Sequence, residues 1–105
     1  MTQKAWVAER MADGFLRAGL LEEAEQELAQ IGKEVTSAGM ITCATALLKR
    51  GKLQEGCALF ARVGQPPPIN LLIGYRDELI VEGRTAELES EFSNAGVAMP
   101  LDRLR

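Results

Sequence analysis

The side chains that could support chemistry in this chain are two cysteines and a group of carboxylates. Cys43 and Cys57 form a Cys-x13-Cys pattern, which fits neither a redox CxxC motif nor a zinc knuckle. Both fall in helical patterns, so we interpret them as buried, reduced thiols that pack as small hydrophobic residues. The carboxylates crowd one segment, at Glu22, Glu23 and Glu25, which is the pattern of a solvated acidic helix face.

Other residue types that catalysis needs are missing. The chain contains no histidine, the commonest acid-base group near neutral pH and the commonest metal ligand. It also has no glycine-rich phosphate-binding loop. We therefore expect no enzyme activity, no cofactor and no metal site.

Composition limits the class of protein. The 105 residues are 47% hydrophobic and 26% charged, which is typical of one soluble globular domain. Lys and Arg number 12 against 15 Asp and Glu, with no basic run, so nucleic acid is not an expected partner. No segment approaches the roughly 18 apolar residues of a membrane span, and residues 1–6 lack the apolar run of a signal peptide. We expect a cytoplasmic protein.

The elements that position these residues come from an internal repeat. Two glycine columns recur with a 32-residue period, and apolar columns lie between them. The glycine columns are Gly19, Gly51, Gly83 and Gly32, Gly64, Gly96; the apolar columns are Phe15, Leu47, Leu79; Leu16, Leu48, Ile80; Leu28, Phe60, Phe92; and Ile31, Val63, Ala95. Each copy therefore reads as two amphipathic helices, each closed by a glycine in the left-handed conformation.

The pattern predicts an all-α fold with helices near 3–17, 21–31, 35–49, 53–63, 69–82 and 85–95. These helices form a single domain over 1–105, with repeats at about 3–32, 35–64 and 69–96 and a short tail at 97–105. Pro68 and Pro100 follow the same period, each where a first helix would begin.

The order of these columns resembles the tetratricopeptide repeat. Small residues at Ala12 and Ala44 precede a large apolar residue and a glycine, and the second helix begins with a Leu-x-Glu-Ala-like segment at 20–24. The resemblance implies a right-handed α-solenoid of three helix-turn-helix repeats. The chain departs from that family in its 32-residue period, where the family has 34, and in carrying Arg76, Gly56 and Leu88 at usually small or alanine positions. Pentatricopeptide repeats, which bind RNA, have a longer period and usually a basic surface. Both features argue against that family for this chain.

If the tetratricopeptide register applies, the first helices line a concave surface that binds a polypeptide. The candidate groove residues are Trp6, Leu16, Ile41, Thr45, Leu48, Ile73, Asp77, Ile80 and Val81. A mostly aliphatic groove suits the apolar face of an amphipathic helix. Two alternatives stay open: Leu16, Leu48 and Ile80 either line this groove or fill the seam between repeats, and Trp6 either covers the edge of the core or anchors an interface.

A narrower resemblance is to the small tetratricopeptide-like chaperones of the needle subunit in bacterial type III secretion systems. The segments that carry it are Val7–Glu9, Glu22–Ala24, Arg50–Gly51 followed by Pro66, Leu71–Leu72 and Glu87–Ser90. It implies a groove that holds the amphipathic C-terminal helix of a needle subunit and prevents premature polymerisation, together with a second small helical co-chaperone. The short tail leaves the stack without a polar end cap, which also predicts a protein partner. The alternative is a generic adaptor or a scaffold fragment that forms homo-oligomers.

Overall fold

The described part of the chain, residues 4–101 of a computed structural model, consists of six α-helices joined by turns, with no strand in that range. The helices are α1 (Ala5–Arg17), α2 (Leu21–Ala29), α3 (Ser37–Lys49), α4 (Leu53–Arg62), α5 (Ile69–Val81) and α6 (Leu88–Ala95), with a 3-10 turn at Thr85–Glu87 before α6. The predicted all-α class is confirmed. No helix among these residues is both long enough and apolar enough to cross a membrane.

The predicted helix boundaries agree closely with the observed ones, and one difference has a clear cause. The sequence predicts the third helix from residue 35, but the helix begins at Ser37. The side chain of Thr36 accepts a hydrogen bond from the backbone N–H of Gly39 at 3.1 Å, which is the geometry of an N-cap. Val35 therefore lies outside the helix, where its side chain is buried in the core. Residue 3 and residues 102–105 of the predicted spans lie outside the described residues.

All six of the described helices end in the same way. The six repeated glycines have φ between 71° and 81°, the left-handed region that costs glycine no steric energy. At each end the residue after the glycine donates its N–H to a carbonyl near the end of the helix, as from Leu20 to Phe15 (2.8 Å) and from Arg84 to Leu79 (2.8 Å). These are Schellman motifs, so the prediction that these glycines close helices is confirmed.

The helices pack in an extended arrangement. α1 packs on α2 and α3 packs on α4, while α1, α3 and α5 lie side by side and α6 packs on α4. The molecule measures 58 × 25 × 20 Å with a radius of gyration of 16.1 Å, whereas a compact domain of this length has a radius of about 13 Å. The core runs along the whole length, from Ala12 to Phe92.

The third helix pair differs from the first two. Small residues meet where α3 crosses α4: a Cβ on Gly56 would lie 2.9 Å from the carbonyl oxygen of Ala44. The equivalent positions in the third unit hold Arg76 and Leu88, which are too large for such a close approach. The backbones of α5 and α6 accordingly do not pack closely, and α6 lies on α4 instead.

The space beside α5 is filled by the segment that follows α6. Arg76 is buried, and its Nη1 donates to the carbonyl oxygen of Pro100 at 2.8 Å. Tyr75 connects the two separated helices through its side chain: its hydroxyl donates to Glu91 at 2.9 Å, and its ring meets Phe92 edge to face at 5.9 Å. The third unit is thus held together by side chains and by the tail, whereas the first two are held by close backbone packing.

Candidate partner-binding surface

The two cysteines, which were the most reactive groups in the sequence, lie in the core. Both thiols are free and buried. Burial raises the pKa of each thiol, and the nearby charge of Glu25 raises that of Cys43 further. Neutral thiols without solvent access are poor nucleophiles and poor metal ligands. Among residues 4–101, no group of three or more Cys, Asp or Glu side chains is arranged to hold a metal ion.

Two of the predicted groove residues belong to the seam between helix pairs. Leu16 is 6% exposed and Leu48 is 4% exposed. A Cβ on Gly39 would lie 3.0 Å from Cδ1 of Leu16, so α3 packs directly on this leucine. For Leu16 this burial favours the seam, because α3 of the next pair covers it. Leu48 is covered by α4 of its own pair and lies next to α5. Neither side chain exposes more than a few per cent of its surface to a partner.

The equivalent position in the third unit has a different environment. Ile80 occupies the same column as Leu16 and Leu48, yet it is 41% exposed, and the adjacent Val81 is 86% exposed. No helix of the described chain packs over this end of α5. An aliphatic side chain that is buried in two units is therefore left open to solvent in the third.

The remaining candidates lie on α1, α3 and α5. Asp77 is exposed, whereas Ile41, Thr45 and Ile73 are partly buried. Trp6, near the start of α1, is 57% exposed.

The surface of α3 forms an open depression with a volume of about 520 Å³. It contains two of the predicted residues, Ile41 and Thr45, together with three cations at its rim. Its lining residues are Arg17, Ile41, Thr42, Thr45, Ala46, Lys49 and Arg50. The floor is made of short or aliphatic side chains, so this depression can accept the apolar side of a partner while the cations stay at the edge.

A second depression, of about 350 Å³, lies along α5. It contains the predicted residues Asp77 and Val81, next to Gly74, Glu78 and Glu82. Most of its lining residues are acidic, so its rim has the opposite charge to that on α3. Sequence reasoning missed Glu78, Glu82 and the basic residue Arg50. The 32-residue register could have identified them, because Arg50 and Glu82 occupy the same column.

The carboxylates of α1 have partners on the protein itself. Glu9 pairs with Lys33, and Asp13 pairs with Arg17 at 3.0 Å. This leaves the α1 part of the surface polar and nearly neutral.

A polar cluster lies between the C-terminal part of α5, the 3-10 turn and α6. Burial and the hydrogen bond to Glu91 raise the pKa of Tyr75 to about 12 from its ordinary value of 10.0. Nearby, Arg84 bonds Glu87 at 2.8 Å and Glu82 at 3.3 Å, and this arginine lowers the pKa of Glu87. The charged groups pair with one another at the surface, and the raised pKa of Tyr75 keeps its hydroxyl protonated near neutral pH.

Comparison with protein-family models, curated proteins and solved structures found no match to this chain.

Proposed function

We propose that this chain is an α-solenoid of three tetratricopeptide-like repeats that binds an amphipathic helix of another polypeptide in the concave groove predicted along α1, α3 and α5. The observation that carries the proposal is the set of aliphatic side chains that the fold leaves uncovered on this surface. Val81 is 86% exposed, and Ile73, about two turns earlier on the same helix, is partly buried. Exposed aliphatic side chains of this kind form a surface that a protein partner can cover.

The shape of the molecule supports a helical ligand. Elongated repeat arrays present their first helices as one extended surface, and this chain is more than twice as long as it is wide. Ile41 on α3 and Ile73 on α5 occupy the same column of the repeat, so neighbouring first helices carry aliphatic groups at matched heights. A partner helix that lies across α3 and α5 can contact Ile41 with the apolar residue of one turn and Ile73 with the apolar residue of the next.

The specific form of this proposal is a cytoplasmic chaperone for the needle subunit of a type III secretion system. The sequence resemblance described above supports it over positions 7–95. In that role the surface would hold the C-terminal helix of the subunit, and a second small helical protein would complete the complex. Masking a polymerising helix requires reversible affinity and no chemistry, which fits a surface without reactive groups.

Co-expression tests this role. The chain is expressed together with the product of each small neighbouring reading frame, and complexes are isolated by size-exclusion chromatography. We expect a soluble 1:1 complex with a subunit that polymerises alone. Val81→Asp and Thr45→Asp should weaken this complex while circular dichroism stays unchanged, because neither side chain is fully buried. Ala61→Asp, at an exposed position of α4, is the matched control and should leave binding intact. Equal loss in all three variants would show that the surface is not the binding site.

A scaffold or homo-oligomer is the second candidate, favoured by the exposed Ile80 where Leu16 and Leu48 are buried. A further repeat unit, from another copy of the chain, would cover this position. Sedimentation velocity distinguishes the two roles. Under the chaperone role the purified chain is monomeric, whereas under the scaffold role it forms oligomers that Ile80→Asp disperses.

A further inference from the structure

The side chain of Arg76 connects the predicted groove to the segment that follows α6. Arg76 is only 4% exposed. Its Nε and Nη2 both bond Oδ1 of Asp77, at 3.0 Å and 2.9 Å, and its Nη1 donates to the carbonyl oxygen of Pro100 at 2.8 Å. One guanidinium therefore holds a predicted groove residue on one side and the chain after α6 on the other.

The helix alone would not bring Arg76 and Asp77 together. Side chains of consecutive residues on a helix point in different directions, and here Asp77 is exposed whereas Arg76 is buried. Arg76 occupies the repeat column of Ala12 and Ala44, which are small and buried in the first two units. Its guanidinium folds back along α5 to reach the carboxylate, and the chain that covers α5 keeps it in that position.

The covering segment, residues 97–101, is called the strap below. Val97 and Met99 pack against the core, and Pro100 is buried. Residues 98–101 form neither helix nor strand, so the strap is held in place by its contacts with the helices and not by a regular backbone pattern. Segments of this kind open locally at a lower free energy than the helices that they cover.

We infer that the Arg76–Asp77 pair couples the groove to the strap, so that a loss of the pairing at Asp77 releases the strap from α5. A buried guanidinium that loses its counter-charge is costly. It regains water most directly if the strap moves away. A cation of a groove ligand that draws the Asp77 carboxylate away from Arg76 has the same effect. The coupling belongs to the isolated chain and needs no identified partner.

Limited proteolysis of the full chain tests the coupling. A protease of broad specificity such as subtilisin is added at low concentration, and the rate of cleavage within residues 97–101 is measured by mass spectrometry. Cleavage requires local opening, so its rate follows the population of the released strap. Cleavage in the linker at residues 33–36, between α2 and α3, serves as the internal reference.

Two alanine variants on α5 are compared. Asp77→Ala removes the carboxylate that faces Arg76, and Glu78→Ala is the matched control. Glu78 is the next residue, is also exposed, lines the same depression and has no ion pair among the residues that the structure describes. We expect Asp77→Ala to raise the rate of strap cleavage about tenfold, which is the scale of a hydrogen bond between charged groups. Glu78→Ala should change it less than about twofold.

A third variant separates the coupling from a general weakening of α5. Arg76→Met removes the cation and keeps an unbranched side chain. In the Arg76→Met background, Asp77→Ala should add no further acceleration, because no guanidinium is left to neutralise. If Arg76→Met does not fold by circular dichroism, the comparison with the linker at 33–36 decides, since only the strap should be cleaved faster in Asp77→Ala.

The results that overturn the inference are distinct. Equal rates of strap cleavage in Asp77→Ala and Glu78→Ala would show that the strap does not depend on the pairing. An equal acceleration by Asp77→Ala with and without Arg76, or at the strap and the linker alike, would show that Asp77 acts through the stability of the fold as a whole.

Discussion

Leu48 and Ile80 provide a direct test of the seam, because one repeat column holds both but only one is covered. Leu48 is 4% exposed and Ile80 is 41% exposed. Leu48→Ala and Ile80→Ala each remove three carbon atoms from a helix position, so the chemical change is nearly the same. Any difference in stability then reports how much more completely the fold covers Leu48 than Ile80.

The expected costs follow from burial. Removing three buried methyl or methylene groups costs about 2.4 kcal/mol of transfer free energy. The side chain of Leu48 packs closely on α4, since a Cβ on Gly56 would lie 2.9 Å from Cδ2 of Leu48. Leu48→Ala therefore leaves a cavity, and the total loss of stability is about 3–4 kcal/mol. Ile80 is already partly open to solvent, so Ile80→Ala loses only about half of this transfer free energy and leaves no closed cavity. The expected loss of stability is about 1 kcal/mol.

Urea unfolding followed by circular dichroism at 222 nm measures both variants. With an m-value of about 1.5 kcal/mol/M, the midpoint should fall by about 2–2.7 M for Leu48→Ala and by about 0.7 M for Ile80→Ala. The m-value should stay constant in both. Equal midpoint shifts, or a larger shift for Ile80→Ala, would refute the conclusion that Leu48 is covered and Ile80 is open to solvent.

Three further predictions test the packing. Gly56→Ala should destabilise the chain by about 1–3 kcal/mol in the same urea assay, because the new Cβ would lie 2.9 Å from a backbone oxygen of α3. Gly74→Ala should instead stabilise the chain by about 0.5–1 kcal/mol, because the space around Gly74 is open and alanine favours the helix. The pKa of Tyr75 is about 12 in the folded chain, against an ordinary value of 10.0, so its contribution to stability is present below pH 10 and is lost as the pH rises from 10 to 12. In Tyr75→Phe the free energy of unfolding should therefore fall less steeply between pH 10 and pH 12. Cys43 and Cys57 are buried with raised pKa values, so Ellman's reagent should react with them only at the rate of unfolding; fast labelling of the native chain would contradict the placement of these thiols.

The helices could be predicted from the sequence because their signals are local. A glycine that follows an amphipathic run closes a helix whatever lies beyond it, and Gly19 and Gly83 do so with the same pair of hydrogen bonds. The apolar period likewise fixes which face of each helix is buried. For this reason the boundaries and the six helix ends needed no knowledge of tertiary packing.

The candidate surface was harder to predict, because exposure depends on the neighbouring unit. Leu16 and Ile80 look alike in the repeat, and only the packing of α3 on α1 distinguishes them. Arg76 and Leu88 stood out as departures from the tetratricopeptide pattern, but the sequence did not indicate their joint effect, which is to separate α5 from α6.

The measurement that tests the central claim most directly is mapping of a bound helix on the isotope-labelled chain by NMR. A stapled peptide that forms an amphipathic helix, with one Leu and Ala face, is titrated into the ¹⁵N-labelled full chain at 50 mM salt. We expect the largest amide shift changes at Ile41, Thr45, Asp77 and Val81, with little change at Ala61. Changes centred on α2, α4 and α6, or no change at millimolar peptide, would contradict the claim that the first helices form a polypeptide-binding surface.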